Sequence, residues 1–287
     1  MRGSGERDGP VEALIARIDA TTAASPAPDT VPSGFPSLDR MLGGGFRRKD
    51  IAVLAGDVGS GKSALALGIA IRAARAGVPT LHLSGEMSPD RVMERALALE
   101  GKATVDDLRQ GRLDPTARAA VGGAAHRLRD IPLLLRPLLG ESFDEVREAL
   151  DVVPPRALLV VDSLQLAPTP LPAARLEERV ALTIRALKAV AVDRDLTVLA
   201  TAQLPRHTAD RPDPRPTLDD LGGRGAIKQN ADVVLAIYRE EMYRPHQGVE
   251  GATELIVAKN RNGPTGFVDL YFYARWLRFE DMLDPSA

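Results

Sequence analysis

From residue 51 onward, short apolar runs alternate with longer stretches of helical spacing. Strand-like runs fall at Ile51 to Ala55, Pro79 to Ser84, Ile131 to Arg136, Ala157 to Asp162, Leu196 to Ala202 and Asp232 to Tyr238. Strands that alternate with helices predict an α/β fold, a mostly parallel sheet with helices on both faces. The chain ends differently: Glu254 to Ala258 and Phe267 to Tyr273, joined through Asn262-Gly263, predict an antiparallel hairpin at the sheet edge. Near the N-terminus Val11, Leu14, Ile15 and Ile18 fall at i, i+3, i+4 and i+7 and predict a short amphipathic helix over 11–20. Its stripe needs cover, from its own domain or from a neighbouring subunit. Pro26, Pro28, Pro32 and Pro36 then impose an extended linker. The expected organisation is a disordered tip over 1–10, a linker helix and proline-rich linker over 11–30, and one motor-sized domain over 31–287, without internal repeats.

Composition narrows this picture. Of 287 residues, 44% are hydrophobic, enough for one core, yet no run approaches the ~18 apolar residues of a membrane span, and no signal segment opens the chain. A cytoplasmic protein is expected. The absence of cysteine removes disulfides, thiol catalysis and cysteine-ligated zinc, and four scattered histidines suggest no metal cluster. A net charge of -2 provides no global basic field, so contact with nucleic acid must come from a local lining.

Gly56-Asp57-Val58-Gly59-Ser60-Gly61-Lys62-Ser63 satisfies G-x-x-x-x-G-K-[ST] between a predicted strand and the helix-forming run Ala64 to Ala70. The glycines let successive backbone N–H groups face a phosphate, and the helix start adds its positive dipole end. Lys62 can then reach the β- and γ-phosphates of a nucleoside triphosphate while Ser63 holds Mg²⁺. Asp162, ending a continuous apolar run, is the natural metal partner of Ser63. Glu86 follows one predicted strand and precedes a helix opened by Ser88-Pro89. It suits either activation of a water or neutralisation of a helix dipole. Gln203 ends another strand at the same edge and suits either a γ-phosphate contact or an ordinary loop entry.

Longer motifs add to these. Pro32 to Asp39, Ser84-Gly85-Glu86-Met87-Ser88, Val161-Asp162-Ser163-Leu164-Gln165-Leu166 and Lys259-Asn260-Arg261-Asn262-Gly263-Pro264-Thr265-Gly266 occur in order. Together they resemble the C-terminal motor of the DnaB family of replicative helicases, a branch of the RecA-like P-loop ATPases, over nearly all of Val31 to Asp281. The resemblance implies Lys62 and Ser63 at phosphate and metal, Asp162 at the metal, Glu86 as catalytic carboxylate and Gln203 as γ-phosphate sensor. It also implies that Lys259 and Arg261 reach a neighbouring subunit's γ-phosphate. The residues alone predict only two charges, two apart on one strand and on the same face. A ring of about six subunits follows from the resemblance, with the 11–20 helix docking on the adjacent protomer. The family's usual helical N-terminal domain has no counterpart in the ten residues before that helix.

The DNA-contacting segment departs most from the family pattern. Pro205 to Pro216 carries Arg206, His207, Arg211 and Arg215, and the following stretch has Gly222 and Gly223 for Arg and Glu, Arg224 for Ser, Lys228 for Glu and Asn230 for Asp. Arg206, Gly223, Arg224, Gly225 and Lys228 are the expected contacts to single-stranded DNA, through glycine N–H groups and local positive charge. No aromatic residue occurs between Gln203 and Asp232, so contact with phosphate rather than base stacking is expected. The leading expectation is an ATP- and Mg²⁺-dependent helicase motor that translocates on single-stranded DNA, 5′ to 3′ by resemblance. The alternatives are a nucleotide-gated binding module without unwinding and a RecA-like recombination ATPase.

Overall fold

The computed structural model describes residue 11 and residues 29–138, 142–171, 175–204, 211–223, 225–244 and 248–282. A two-stranded ribbon of β1 (Thr30–Val31) and β2 (Phe46–Arg47) flanks helix α1 (Pro36–Met41) and leads into the main sheet. Then follow β3 (Ile51–Gly56), α2 (Lys62–Arg75), β4 (Thr80–Ser84), α3 (Pro89–Gly101), α4 (Val105–Gln110), α5 (Pro115–Arg129) and β5 (Leu133–Pro137). Next come α6 (Asp144–Leu150), β6 (Leu158–Asp162), α7 (Leu176–Asp193), β7 (Thr197–Gln203), α8 (Ala226–Asn230), β8 (Val233–Arg239), β9 (Ala252–Asn260), β10 (Gly266–Tyr273) and β11 (Arg278–Asp281).

The nine strands β3 to β11 form one sheet in the order β11-β10-β9-β8-β3-β7-β6-β4-β5. From β8 to β5 every pairing is parallel, while β9, β10 and β11 join antiparallel. All residues of β3, β4, β6 and β8 are buried, as expected where helices cover both faces of a parallel sheet. On one face Phe143 at the N-cap of α6, Val146 of α6 and Val180, Ile184 and Leu187 of α7 pack on Leu81, Leu159 and Val198. On the other, Leu38 of α1 and Leu65 and Ile69 of α2 pack on Leu54, Val160 and Leu199. A satellite cluster joins α2 to α3 and α5 through Ile71, Val92, Leu99 and Leu128.

The expected α/β class holds, with element ends coinciding or displaced by up to five residues. The helix after the phosphate motif runs from Lys62 to Arg75, well beyond the expected apolar stretch, because its apolar positions continue to Ala74. The C-terminal hairpin is not the sheet edge: β11 pairs with β10 and takes that place. Short, and polar at Arg278, Glu280 and Asp281, three of its four positions, β11 carries little apolar signal in sequence. A bulge also interrupts β9. Val234 faces Lys259 while Leu235 faces Val257, leaving Ala258 as the extra residue. Alternation from buried Thr253, Leu255 and Val257 would otherwise turn residue 259 into the core, and the bulge resets it. Arg261 lies just past the strand end, in the turn, rather than on the strand as expected. Of the expected helix over 11–20 only Val11 is described; the linker to residue 28 and the tip over 1–10 lie outside the described residues. No helix among the described residues is long and apolar enough to cross a membrane.

Leu159 is fully buried in β6 between Leu81 and Val198. Leu159→Ala should destabilise the fold by about 3 kcal/mol, the mid-range for a truncated core leucine; urea unfolding of the two proteins measures it, and a midpoint equal to wild type would contradict this placement.

Candidate functional site

Parallel strands end on the same edge of a sheet, and here strand order decides what those ends bring together. Gly56 at the end of β3 is level with Gln203 at the end of β7. Next along the edge is β6, whose final Asp162 is level with Ser84, the last residue of β4 and two residues before Glu86. Residues far apart in the chain thus line one cavity of about 520 Å³, among them Gly59, Gly61, Lys62, Ser63, Glu86, Arg95, Asp162, Thr201, Gln203 and Arg239.

The loop 56–61 curls because its glycines allow it. Gly59 and Gly61 have φ of +76° and +97°, a region that side chains resist, and a Cβ on Gly61 would stand 2.8 Å from the Phe279 ring. Gly61 is also the N-cap of α2 and supplies no capping side chain, so the first-turn N–H groups face the cavity without a side-chain acceptor. The Lys62 ammonium folds back onto the Asp57 carbonyl at 2.7 Å. Burial lowers its proton affinity, against the pull of Asp162, Asp57 and Glu86. Val58 at the loop tip is exposed, and Ser60 Oγ is buried without a partner.

Asp162 is almost wholly buried. Its Oδ1 accepts a 2.5 Å hydrogen bond from Thr201 Oγ1, while Oδ2 has no partner. A buried carboxylate oxygen left bare in a cavity that Ser63 also lines suits a hydrated divalent cation, since Mg²⁺ keeps most of its waters and takes only one or two protein oxygens. Accordingly, no group of three or more acidic, His or Cys residues suited to a metal occurs among the described residues. Glu86 is exposed in the loop between β4 and α3, a loop fixed by Gly85 N–H donating to the Asp162 carbonyl (2.7 Å) and Met87 N–H to Ser84 Oγ (3.1 Å). Gln203 is exposed at the cavity wall, and its carbonyl accepts from Gln165 at 3.2 Å.

Sequence reasoning missed two arginines. Arg95 of α3 lines the cavity from the Glu86 side. Arg239, the last residue of β8, is only 8% exposed; it donates to the Gly59 carbonyl (3.1 Å), pairs with Glu241 and stacks over Phe272 at 4.5 Å. A basic residue closing a buried strand was the available signal, and it was indistinguishable from a strand-end solvent charge.

Lys259 and Arg261 do not enter this cavity. Arg261 lies level with Ile51, at the start of β3 and the opposite end of the sheet, because its N–H bonds the Asp232 carbonyl and Asp232 N–H bonds Ile51. Five residue steps of about 3.3 Å separate that level from Gly56, roughly 17 Å. Lys228 is paired with Asp219 at 2.7 Å, so the positive charge expected of it is offset in part. The pair is exposed and correspondingly weak. Gly223 and Gly225 both adopt positive φ, and a Cβ on Gly223 would press on Val180. Arg206 and Arg224 lie outside the described residues.

Known proteins share this arrangement of sequence and fold. The pattern of the DnaB-like helicase C terminal domain matches residues 30–281. The replicative DNA helicase DnaB of Leifsonia xyli subsp. xyli is 32% identical over 276 residues, 95% of this chain and 60% of that protein. The replicative DNA helicase DnaB of Geobacillus stearothermophilus is 31% identical over 261 residues, 88% of this chain and 56% of that one. The chain thus spans between 56% and 60% of the length of these two relatives. Among solved structures, one described as an ATPase domain superposes with a TM-score of 0.86 at 26% identity, covering 96% of this chain and 99% of that one. A DnaB-like replicative helicase studied with primase superposes with a TM-score of 0.85 at 27% identity, over 95% and 68% of the two chains.

Arg239 fastens the crest of the phosphate loop to the C-terminal hairpin. Arg239→Ala should weaken binding of a nucleoside triphosphate about tenfold, in keeping with the loss of a charge-assisted hydrogen bond. Titration with a fluorescent nucleotide reads this, and wild-type affinity in the variant would remove Arg239 from the site.

Proposed function

This chain belongs to the family of DnaB-like helicase C-terminal domains, and on that premise we propose that it is the motor of a ring-forming helicase. It hydrolyses ATP to translocate on single-stranded DNA and to separate duplex, with 5′ to 3′ polarity carried over from the family. The reading rests on one observation above all: phosphate loop, buried carboxylate, candidate base and γ-phosphate sensor share one sheet edge, whereas Lys259 and Arg261 stand at the other end.

In this reading the N–H groups of 59–63 and the start of α2 cradle the phosphates, and the Lys62 ammonium exchanges the Asp57 carbonyl for β- and γ-phosphate oxygens. Ser63 and the bare Oδ2 of Asp162 hold Mg²⁺, which when bound neutralises charge that builds on those oxygens. Glu86 orients the attacking water and takes its proton, and Gln203 hydrogen-bonds the γ-phosphate from the neighbouring strand end. Each site is incomplete in a single subunit. Lys259 and Arg261 lie too far from their own loop to touch its nucleotide, so they complete the site of an adjacent copy, in a ring of about six. Gln203 opens the segment that leads to Gly223, Gly225 and Lys228. Arg206, Arg224 and Lys228 with the glycine N–H groups would hold the DNA backbone in the channel, and loss of the γ-phosphate at Gln203 would shift that segment.

An arginine supplied in trans is worth ~10³ to 10⁵ in rate. Arg261→Ala should therefore reduce ATP turnover and forked-duplex strand displacement by at least ~10³ while nucleotide affinity stays near wild type; a coupled phosphate-release assay that found normal turnover would exclude the trans role. Asp162→Asn should weaken Mg²⁺-nucleotide binding tenfold or more and leave binding in EDTA unchanged; equal losses with and without Mg²⁺ would contradict the metal assignment.

A further inference from the structure

Lys259 and Arg261 already have partners in their own subunit. Lys259 Nζ donates to the carbonyls of Lys228 (2.7 Å) and Ala231 (2.6 Å). The Arg261 guanidinium donates to the carbonyl of Gln229 (2.7 Å) and lies 3.3 Å from Asp232 Oδ1. These acceptors surround the C-terminal end of α8, where a helix leaves its last carbonyls without intrahelical partners and where the dipole favours cations. With five residues, α8 is too short to persist unaided. Asp232 is itself anchored, accepting from the Ile51 N–H at 2.9 Å and from Lys188 at 2.6 Å. The two cations therefore fasten α8 to the body of the domain, and α8 directly follows the turn that holds Gly223 and Gly225.

We propose that Lys259 and Arg261 are positioning residues for the single-strand-binding loop as well as catalytic residues of the neighbouring site. While the neighbour lacks a triphosphate they clamp α8, and the neighbour's γ-phosphate withdraws the same two cations from it. One pair cannot serve both ends: three of its four partners are neutral carbonyls, weaker acceptors than an anionic phosphate, and the fourth, Asp232, keeps Lys188 when Arg261 leaves. A triphosphate in one subunit thereby loosens the DNA loop of the next. This inference rests on the trans and DNA-loop assignments made above.

Hydrogen exchange on the full chain reads the clamp without reference to DNA. In the absence of nucleotide, Arg261→Ala and Lys259→Ala should each speed exchange of the 226–232 amides about tenfold, and Arg261→Lys should retain most of the protection. Wild type with a non-hydrolysable ATP analogue should gain the same fast exchange, and the double alanine variant should gain nothing further. Unchanged exchange in the nucleotide-free variants, or no response of wild type to the analogue, overturns the proposal.

Anisotropy of a labelled oligothymidine, without nucleotide, reads the consequence. Affinity of the alanine variants should fall about fivefold with an unaltered slope of log affinity on log salt, because no phosphate contact has been removed. A slope lowered by about one would mean that the cations touch DNA directly, and wild-type affinity would mean that α8 does not position the loop; either result overturns the proposal. Lys228→Ala is the control for the DNA assignment. If it leaves both affinity and slope untouched, that assignment fails, and hydrogen exchange alone decides the clamp.

Discussion

Everything in this molecule is arranged by the requirement that parallel strands be joined through crossovers covering both faces of their sheet. Such a sheet delivers all its strand ends to one edge, where backbone direction reverses into loops and where side chains can face a ligand without displacing core. β3, β7, β6 and β4 lie side by side there, so the phosphate loop, Gln203, Asp162 and Glu86 become neighbours although some 150 residues separate the first from the last in sequence. The helix that begins at Lys62 is both the roof over Leu54, Val160 and Leu199 and the dipole aimed at the cavity. Core and site are built from the same elements, and damage to one reaches the other.

Much of this was legible in the chain. Strand-length apolar runs ending in a carboxylate or an amide identified β6 and β7, and the glycine spacing around Lys62 identified the loop, because each is a local pattern with a local physical cause. What was not legible is lateral. Nothing in the run 196–202 states that it lies between β3 and β6, and nothing in Arg239 distinguishes a loop clamp from a surface charge. β11 escaped because three of its four residues are charged and its apolar anchor is the stacking of Phe279 on Phe272. Lys228 looked like a free cation because its partner Asp219 approaches only once the intervening turn is formed.

The distribution of charge explains how a chain with a net charge of -2 can still address a polyanion. Many of the described arginines and lysines are committed to pairs, such as Arg72 with Glu280, Lys188 with Asp232 and Arg215 with Glu254. The cavity at the strand ends draws its positive character instead from oriented N–H groups, the half-buried Lys62 ammonium and the nearby Arg95, which act at short range. Long-range steering is thereby exchanged for local selectivity.

The bulge at Ala258 carries a consequence of another kind. Pairing Ala258 into the ladder, with no residue lost, would restore strict alternation, swing the Lys259 ammonium toward Leu54 and Leu235, and take it away from the carbonyls of Lys228 and Ala231. Deleting one residue there would instead leave Lys259 opposite Val234, as it is now. Over these few positions it is the register of pairing, more than the identity of any side chain, that aims the cation.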